Sequence, residues 1–356
     1  MGKPKSAFTR RQFMKMGLAA AGGLVLGGGT LGPGRNLFAT AAEIAQHPHS
    51  PKLYTKVAEP ARVSLVRGDD RYEIVSRSLK MIENDILSSI GNKKILLKPN
   101  LVLADNPLAD THVDAVRAIL DFLKPHYKKP IIIGEAGHHK TFDGYKSMGY
   151  LELEKNYSVK LVDLNQDSYE YRYVLGVEHR PLPVRISSTF LDPDVYIISA
   201  ARMKTHNYVF VTLSLKNVLL GCPIKDDKGN DKALFHTDPP AVNDLCHFNM
   251  FHIAQEVFPD LAVIDGFEAM EGNGPAWGTP FPARVALASC DALAADTLAT
   301  KIMGFDPKRV LYLAAMNEAG MGQGDLDKIN VIGTPLDQCL CKLKPNAKMA
   351  EVYNLK

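Results

Sequence analysis

The sequence predicts an α/β protein with a mostly parallel sheet and helices on both faces. Two observations predict it: short β-branched runs alternate along the chain with amphipathic helical patterns, and each helical pattern is long enough to connect two parallel strands. The chain has 356 residues and 46% of them are hydrophobic, which is enough for a large core. We therefore expect one elaborate domain or two closely joined lobes.

The predicted elements follow from hydrophobic periodicity. Short apolar runs predict strands at residues 62–66, 94–98, 130–134, 159–163, 195–200, 261–264, 284–288 and 329–332. Helical periodicity predicts helices at residues 72–88, 113–127, 142–153, 210–220, 241–257, 292–303 and 309–318. The strand at 195–200 is apolar enough to lie at the centre of the sheet. Sheets of this kind bind ligands at the carboxyl ends of their strands.

The first 41 residues have the layout of a twin-arginine export signal. Arg10 and Arg11 precede an uncharged run rich in Ala, Gly and Leu, and Ala39 and Ala41 form a small-residue cleavage site. A membrane anchor or a chance basic start are the alternatives, but four glycines within residues 23–29 make a poor spanning helix. We expect export by the twin-arginine translocase to the periplasm or another extracytoplasmic compartment, with no stable membrane span after cleavage.

Cleavage after Ala41 leaves a slightly acidic protein. It removes six Lys or Arg and no acidic residue, so 42 basic against 39 acidic residues become 36 against 39. No clustered basic surface remains for a nucleic acid. We expect an extension at 42–61, the α/β domain at 62–335 with any lobe boundary near 190–200 or 240–260, and a tail at 336–356.

The cysteines exclude a built-in ferredoxin. An iron–sulfur cluster needs four thiolates in compact spacing, and no such run exists, so no intrinsic cluster is expected. Cys339 and Cys341 would point to the same side of an extended segment, where they either bind a metal or are incidental tail residues. They are too close for an easy disulfide. The five cysteines are Cys222, Cys246, Cys290, Cys339 and Cys341.

Polar side chains follow three of the predicted strands. Lys98 and Asn100 end the strand at 94–98 and offer a cation and an amide to an anionic ligand, although they also suit a plain strand end. Asp265, Glu271 and Asn273 lie in a glycine-rich stretch after the strand at 261–264, which is either a ligand loop or an ordinary turn.

The densest motif follows the central strand. Lys204 and His206 are expected to leave its carboxyl end, and Lys216 and Asn217 lie on the helix that follows. Lysine can hold an anion or act as a base, and histidine can carry a proton or bind a metal. The alternative is a solvated loop with a capping histidine. His236 follows a charged stretch, 225–232, that can fold over the crevice and bring this ring beside His206.

Two family resemblances rest on these motifs. In order, Lys98-Pro-Asn100, Lys204-Thr-His206 with Lys216-Asn217, His236, Glu271-Gly-Asn-Gly-Pro275 and Asp291 resemble the DUF362 family, a domain of unknown function, across residues 64–333. The resemblance implies an α/β fold. Members often carry a ferredoxin-like iron–sulfur segment, which this chain lacks. More distantly, residues 203–206, the later Lys-Asn pair and His138-His139 are similar in order to the nickel-pincer lactate racemase superfamily, where lysine holds an organic cofactor and histidines bind metal or move protons.

The sequence therefore predicts an enzyme acting on a small anionic metabolite. Lys204, His206 and His236 are the candidate catalytic residues, and His206 with His236 is the candidate pair for a divalent transition metal. Two alternatives stay open, namely a non-catalytic protein that binds an anion or cofactor and an accessory component of an exported redox system. The candidate ligand-binding residues are Lys98, Asn100, Lys216, Asn217, Asp265, Glu271 and Asn273.

Replacing Arg10 and Arg11 together by lysine tests the export signal. We expect an uncleaved precursor to accumulate in the cytoplasm, because the pathway recognises the arginine pair rather than its charge. Immunoblots of fractionated cells measure the ratio of precursor to processed protein. Normal processing of the double variant would remove the twin-arginine assignment.

Overall fold

A computed structural model describes residues 60–104, 106–177, 180–236 and 244–352. The predicted signal at 1–41 and most of the predicted extension at 42–61 lie outside the described residues. The strands are β1 Ala61–Arg67, β2 Lys94–Lys98, β3 Ile131–Glu135, β4 Val159–Asp163, β5 Tyr169–Leu175, β6 Pro181–Ser187, β7 Val195–His206, β8 Phe210–Thr212, β9 Lys225–Asp226, β10 Gly229–Asn230, β11 Leu261–Glu271, β12 Thr279–Phe281, β13 Val285–Ser289 and β14 Ile329–Gly333.

The helices of the described residues are mostly short. They are α1 Arg71–Met81, α2 Glu83–Ile90, α3 Val113–Leu123, α4 Thr141–Ser147, α5 Leu153–Asn156, α6 Ser188–Leu191, α7 Ser214–Leu219, α8 Asp244–Ile253, α9 Ala292–Ile302, α10 Leu311–Glu318 and α11 Ala347–Val352. In this part of the chain, no helix combines the length and the apolar character that a membrane span requires.

One large sheet organises the molecule, in the order β14-β1-β13-β11-β7-β2-β3-β4. Neighbours along this path are parallel except at β13, which is antiparallel to both β1 and β11. The predicted mostly parallel sheet is therefore confirmed. The strand predicted to be central, now β7, lies between β2 and β11, so three strand ends that carry candidate residues are neighbours.

Apolar residues cover both faces of the sheet, as predicted. Along β7, Val195 and Ile197 belong to one core cluster, whereas Tyr196 and Ile198 belong to the other. This alternation is the period of a strand buried on both sides. Helices α1 to α4 contribute to the second cluster, and α6 to α11 contribute to the first.

Two strands extend further than the sequence predicts. β7 continues from the predicted end at Ala200 to His206, and β11 continues from Ile264 to Glu271. Lys204 and His206 therefore lie on the central strand rather than on a loop beyond it. Polar residues persist in these extensions because neighbouring loops and strands supply hydrogen-bond partners, which hydrophobic periodicity does not reveal.

Several predicted helices are also wrong in part. Residues 210–212 form β8, which pairs with the end of β7, and only α7 is helical within the predicted 210–220. The aromatic and β-branched pair Phe210 and Val211 favours this pairing. The predicted helix 72–88 breaks at Ile82, the helix 113–127 ends at Leu123, and the helix 142–153 breaks at Met148, before Gly149 with φ of 76°. The hairpin of β5 and β6 was not predicted.

A buried ion pair joins β2, β3 and α7. The Lys98 Nζ atom lies 2.7 Å from Glu135 Oε1 and also donates to Asn217 Oδ1 at 3.1 Å and to the carbonyl of Pro99 at 2.9 Å. Glu135 accepts further hydrogen bonds from the backbone N–H groups of Leu101 and Ala136. The pair therefore fixes how the strand ends and α7 meet.

Gly221 lets the chain after α7 pass close to this pair. A Cβ atom on Gly221 would lie 2.0 Å from Lys98 Cε and 2.3 Å from the carbonyl oxygen of Asn217. No side chain fits there without displacing the lysine.

Gly221→Ala should therefore destabilise the fold by about 1 to 3 kcal/mol, the usual cost of overpacking. Gly144→Ala is the matched control, because its Cβ would meet Leu101 at an ordinary 3.6 Å. Urea denaturation gives both free energies of unfolding. Equal midpoints for the two variants would show that the lysine can move aside.

Candidate functional site

The polar half of β7 clamps the turn at 107–110. Arg202 donates to the carbonyls of Pro107 at 3.3 Å and Asp110 at 3.1 Å, and Lys204 Nζ donates to the carbonyl of Ala109. Both cations are buried, with relative exposures of 1% and 0%. Two neighbouring cations on one strand thus hold one turn beside the carboxyl end of the sheet.

Lys204 and Asp110 perturb each other in this interior. Burial lowers the pKa of Lys204, attraction by Asp110 opposes that shift, and repulsion by Lys216 adds to it. Burial likewise raises the pKa of Asp110, opposed by a hydrogen bond from Val102 and by Lys204. The charge of each group therefore depends on its neighbour and on any ligand that enters.

His206, at the end of β7, is a neutral hydrogen-bond donor. Its Nδ1 atom accepts from the backbone N–H groups of Tyr208 at 3.0 Å and Val209 at 3.3 Å, so the proton of the neutral ring lies on Nε2. Burial, followed by Lys216, lowers the pKa of His206 well below its ordinary value. The lowered pKa and the two hydrogen bonds accepted by Nδ1 both favour the neutral imidazole.

His236 lies beside His206, as the sequence predicts. The two ring centroids are 6.1 Å apart, and Tyr208 packs edge-on against His236 at 4.9 Å. His236 Nδ1 lies 3.0 Å from the carbonyl of Lys232, which only accepts, so Nδ1 carries the proton. Nε2 is then a donor on His206 and an acceptor on His236, which suits the pair for moving a proton.

Lys216, on α7, differs from the other lysines of this region. It is partly buried, and among the described residues its ammonium forms no hydrogen bond or ion pair. Burial lowers the pKa of Lys216 to about 8, and repulsion by Lys98 adds to the shift. A cation in such surroundings is costly until an anion approaches it.

Lys98 and Asn217 are engaged within the protein. Lys98 donates to three protein oxygens in the ion pair already described, and Asn217 Nδ2 donates to Lys98 O at 3.2 Å and to Ser199 Oγ at 3.0 Å. Asn100 lies nearby in the segment that follows β2, and its buried Oδ1 has no hydrogen-bond partner among the described residues. Of these three predicted ligand-binding residues, Asn100 alone has an unused buried atom.

The remaining predicted ligand-binding residues lie in other surroundings. Asp265 Oδ2 pairs with Arg71 at 3.0 Å, and Glu271 Oε2 accepts from the backbone N–H of Lys344 at 2.8 Å. Asn273 is exposed. The carboxylates of β11 thus hold α1 and the C-terminal segment, while the β11 backbone lies beside β7, with Asp265 in register with Arg202 and Met270 in register with Lys204.

Three residues near the site were missed from sequence, namely Asp110, Glu135 and Arg202. Asp110 lies between two predicted elements, and Glu135 follows the predicted end of its strand by one residue. Position gave a signal for Glu135 alone, because Glu135 directly follows a predicted parallel strand, whereas Asp110 is far from any predicted strand end. His138 and His139, which carry part of the distant resemblance, are exposed.

Metal-binding geometry is limited in the part of the chain that the structure describes. It contains no group of three or more His, Cys, Asp or Glu side chains that could hold a metal ion. His206 Nδ1 already accepts two backbone hydrogen bonds. The cysteines are all free thiols, and Cys341 Sγ lies 3.4 Å from the carbonyl of Cys339. The His206 and His236 metal pair stays a prediction.

Comparison with known proteins identifies the family. Residues 95–301 match the family model of DUF362, a domain of unknown function. The chain belongs to the DUF362 family. The thylakoid-associated protein sll1697 of Synechocystis sp. is 28% identical to this DUF362 chain over 251 residues, which cover 66% of the chain and 72% of that protein. The family predicted from the motifs is confirmed.

Two solved structures are similar at low TM-scores. The lactate racemase apoprotein from Thermoanaerobacterium thermosaccharolyticum has a TM-score of 0.44 and 13% identity, covering 70% of this chain and 58% of that one. A Thermotoga maritima protein has a TM-score of 0.38 and 15% identity, covering 56% and 51%. The DUF362 chain spans less than two thirds of either protein, and similarity at this level carries no argument about chemistry.

Replacing Lys98 and Lys216 separately by methionine distinguishes structural from ligand-facing lysines. Lys98→Met leaves Glu135 buried without its cation and should cost about 3 to 5 kcal/mol. Lys216→Met removes a cation that has no partner in the described protein, so stability should stay the same or rise slightly. Thermal and urea denaturation measure the stability of both variants. Lys94→Met is the control, because Lys94 is exposed.

The pH dependence of stability gives a second readout. Because the folded pKa of Lys216 is about 8 and its ordinary value is 10.5, the unfolded chain binds more protons between these values. This group therefore makes wild-type stability rise with pH in that window, and Lys216→Met should reduce the rise. A loss of stability in Lys216→Met as large as in Lys98→Met would make Lys216 a structural residue.

Proposed function

We propose that the protein is an enzyme acting on a small anionic metabolite in a crevice at the carboxyl end of β7. Lys204 and Lys216 bind the anionic group, and His206 with His236 moves a proton. The observation that carries the proposal is Lys216, a partly buried ammonium beside His206 with no partner among the described residues. Such a cation is expensive to retain unless a ligand uses it.

The histidine pair supports catalysis rather than binding alone. A neutral ring with its proton on Nε2 lies beside a second ring whose proton lies on Nδ1, so one ring can give a proton to the ligand while the other receives one. General acid–base catalysis needs such a pair within reach of the ligand. The ammonium groups of Lys204 and Lys216, whose charged form a bound anion favours, would stabilise negative charge that develops on the ligand during the reaction.

The proposal also includes export of the protein. The twin-arginine pattern at Arg10 and Arg11 supports delivery of the folded protein to the periplasm or another extracytoplasmic space, so its ligand would be encountered there. A divalent metal held by His206 and His236 remains compatible with the proposal, which does not require it.

Exchange in heavy water tests the proposal. Wild-type protein is incubated in D₂O with a mixture of small carboxylates and phosphate compounds, and mass spectrometry identifies the anion that is retained and its deuterium content. We expect one anion to be retained and, where that anion is organic, to gain carbon-bound deuterium. Lys216→Met should lose about 2 to 5 kcal/mol of binding free energy, the range for one member of a buried charge pair.

His206→Asn is the matched catalytic variant, because the asparagine oxygen can replace Nδ1 as acceptor for the Tyr208 and Val209 N–H groups. It should retain the anion and take up no deuterium. Retention without exchange by the wild type would favour a non-catalytic binding protein. Equal retention by wild type and Lys216→Met would contradict the proposed site.

A further inference from the structure

Two buried oxygen atoms beside Lys204 have no donor. Asn100 Oδ1 and Asp110 Oδ2 are both without a hydrogen-bond partner among the described residues. The two residues lie close together, because Thr111 N donates to Asn100 O at 2.8 Å and Asp110 Oδ1 accepts from Val102 N at 2.5 Å. Buried acceptors without donors are rare in native proteins, so these two require an explanation.

The surrounding structure prevents the acceptors from turning towards solvent. Arg202 binds the carbonyl of Asp110, and Lys204 binds that of Ala109. Thr111 Oγ1 donates to the carbonyl of Ala200 at 2.7 Å, and Tyr150 donates to the carbonyl of Thr111 at 2.9 Å. Asp110 itself has a relative exposure of 0%. The acceptors are therefore fixed before any ligand arrives.

The other groups of the site are hydrogen-bond donors. Lys204 and Lys216 are ammonium donors, and His206 offers its Nε2–H. A fitting ligand must present anionic oxygens to these groups and a hydrogen-bond donor to Asn100 and Asp110. Sulfate and simple carboxylates have anionic oxygens and no donor. A phosphate that still carries a proton has both anionic oxygens and a donor O–H group on one phosphorus atom.

We propose that this site recognises a protonated phosphate group and that Asp110 determines this specificity by accepting the phosphate O–H. The inference deepens the proposed function and rests on it, since it names the anion that Lys204 and Lys216 hold. A site built around a ligand hydroxyl rejects an analogue without one, because its buried acceptor is then left unpaired. The protonated phosphate is either free hydrogen phosphate or the monoanion of a phosphate monoester.

Calorimetric titration of the full-length processed protein with inorganic phosphate and with sulfate tests the inference. At pH 7.5 or so, wild type should bind phosphate at least about 100-fold more tightly than sulfate, within the limit of about 10⁴ to 10⁵ known for sites that read a hydroxyl. Glycerol phosphate distinguishes the sources: binding that appears only at lower pH, where the ester gains a proton, indicates a monoester monoanion.

Asp110→Asn supplies the decisive comparison. The amide oxygen can keep the hydrogen bond from Val102 N, while the amide N–H₂ replaces the Oδ2 acceptor with a donor. Phosphate should then bind at least about 10-fold more weakly and sulfate more tightly, so the preference shrinks or reverses. Asp114→Asn is the matched control, because Asp114 is partly exposed and pairs with Arg117.

If Asp110→Asn does not fold, a second measurement is available from the wild type. It is the pH dependence of the preference for phosphate over sulfate. The charged groups that act on Asp110 are Lys204 and Glu135, and Glu135 is paired with Lys98. When the pH falls, Asp110 gains a proton and becomes a donor, so sulfate should bind more tightly and the preference should decrease. A preference for phosphate that is constant with pH and survives Asp110→Asn would overturn the inference.

The two proposals fail in different ways. Phosphate and sulfate binding of equal strength, both weakened by Lys216→Met, would leave the anion site in place and remove the role of Asp110. Absence of phosphate binding, together with retention of a carboxylate that depends on Lys216, would also overturn the phosphate inference alone. If no anion depends on Lys216, the proposed function itself is lost.

Discussion

The buried pair of Lys98 and Glu135 is the constraint on which the rest of the sheet edge depends. It ties the ends of β2 and β3 to α7 and the loop after β2 through hydrogen bonds that leave both ions almost fully satisfied. Breaking a buried pair leaves one ion uncompensated, which costs far more than the pair contributes when intact. The arrangement therefore has little freedom to relax. Lys216 lies next to Asn217 on α7, so its position is fixed as well.

The lysines within this one region have very different surroundings. Lys98 donates to three protein oxygens, whereas Lys216 has no partner among the described residues. Lys204 is intermediate, with one carbonyl and the influence of Asp110. Residue type alone does not distinguish a structural cation from a ligand-binding one. The distinction comes from which acceptors the fold places within reach.

Much of the fold was predictable because β-branched runs mark the strands of a sheet that is buried on both faces. The extensions of β7 and β11 were not, since Arg202 and Lys204 resemble loop residues until the carbonyls that receive their hydrogen bonds are known. For the site, the sequence brought His206 and His236 together correctly. It also placed Asp265 and Glu271 at a neighbouring strand end, but it did not show that their carboxylates are engaged by Arg71 and by the backbone N–H of Lys344. Such pairings join residues far apart in the chain, which no local pattern encodes.

The clamp on the turn at 107–110 has an evolutionary consequence. Arg202 and Lys204 grip this turn mainly by its main-chain carbonyls, and every amino acid supplies a carbonyl. These main-chain contacts do not depend on which side chains the turn carries, although Asp110 adds side-chain hydrogen bonds to the N–H groups of Val102 and Leu103. A substitution in this turn therefore leaves the carbonyls that Arg202 and Lys204 bind in place. The side chains of such a turn can therefore vary during evolution with less cost to the shape of the loop than those of a turn held by its side chains alone.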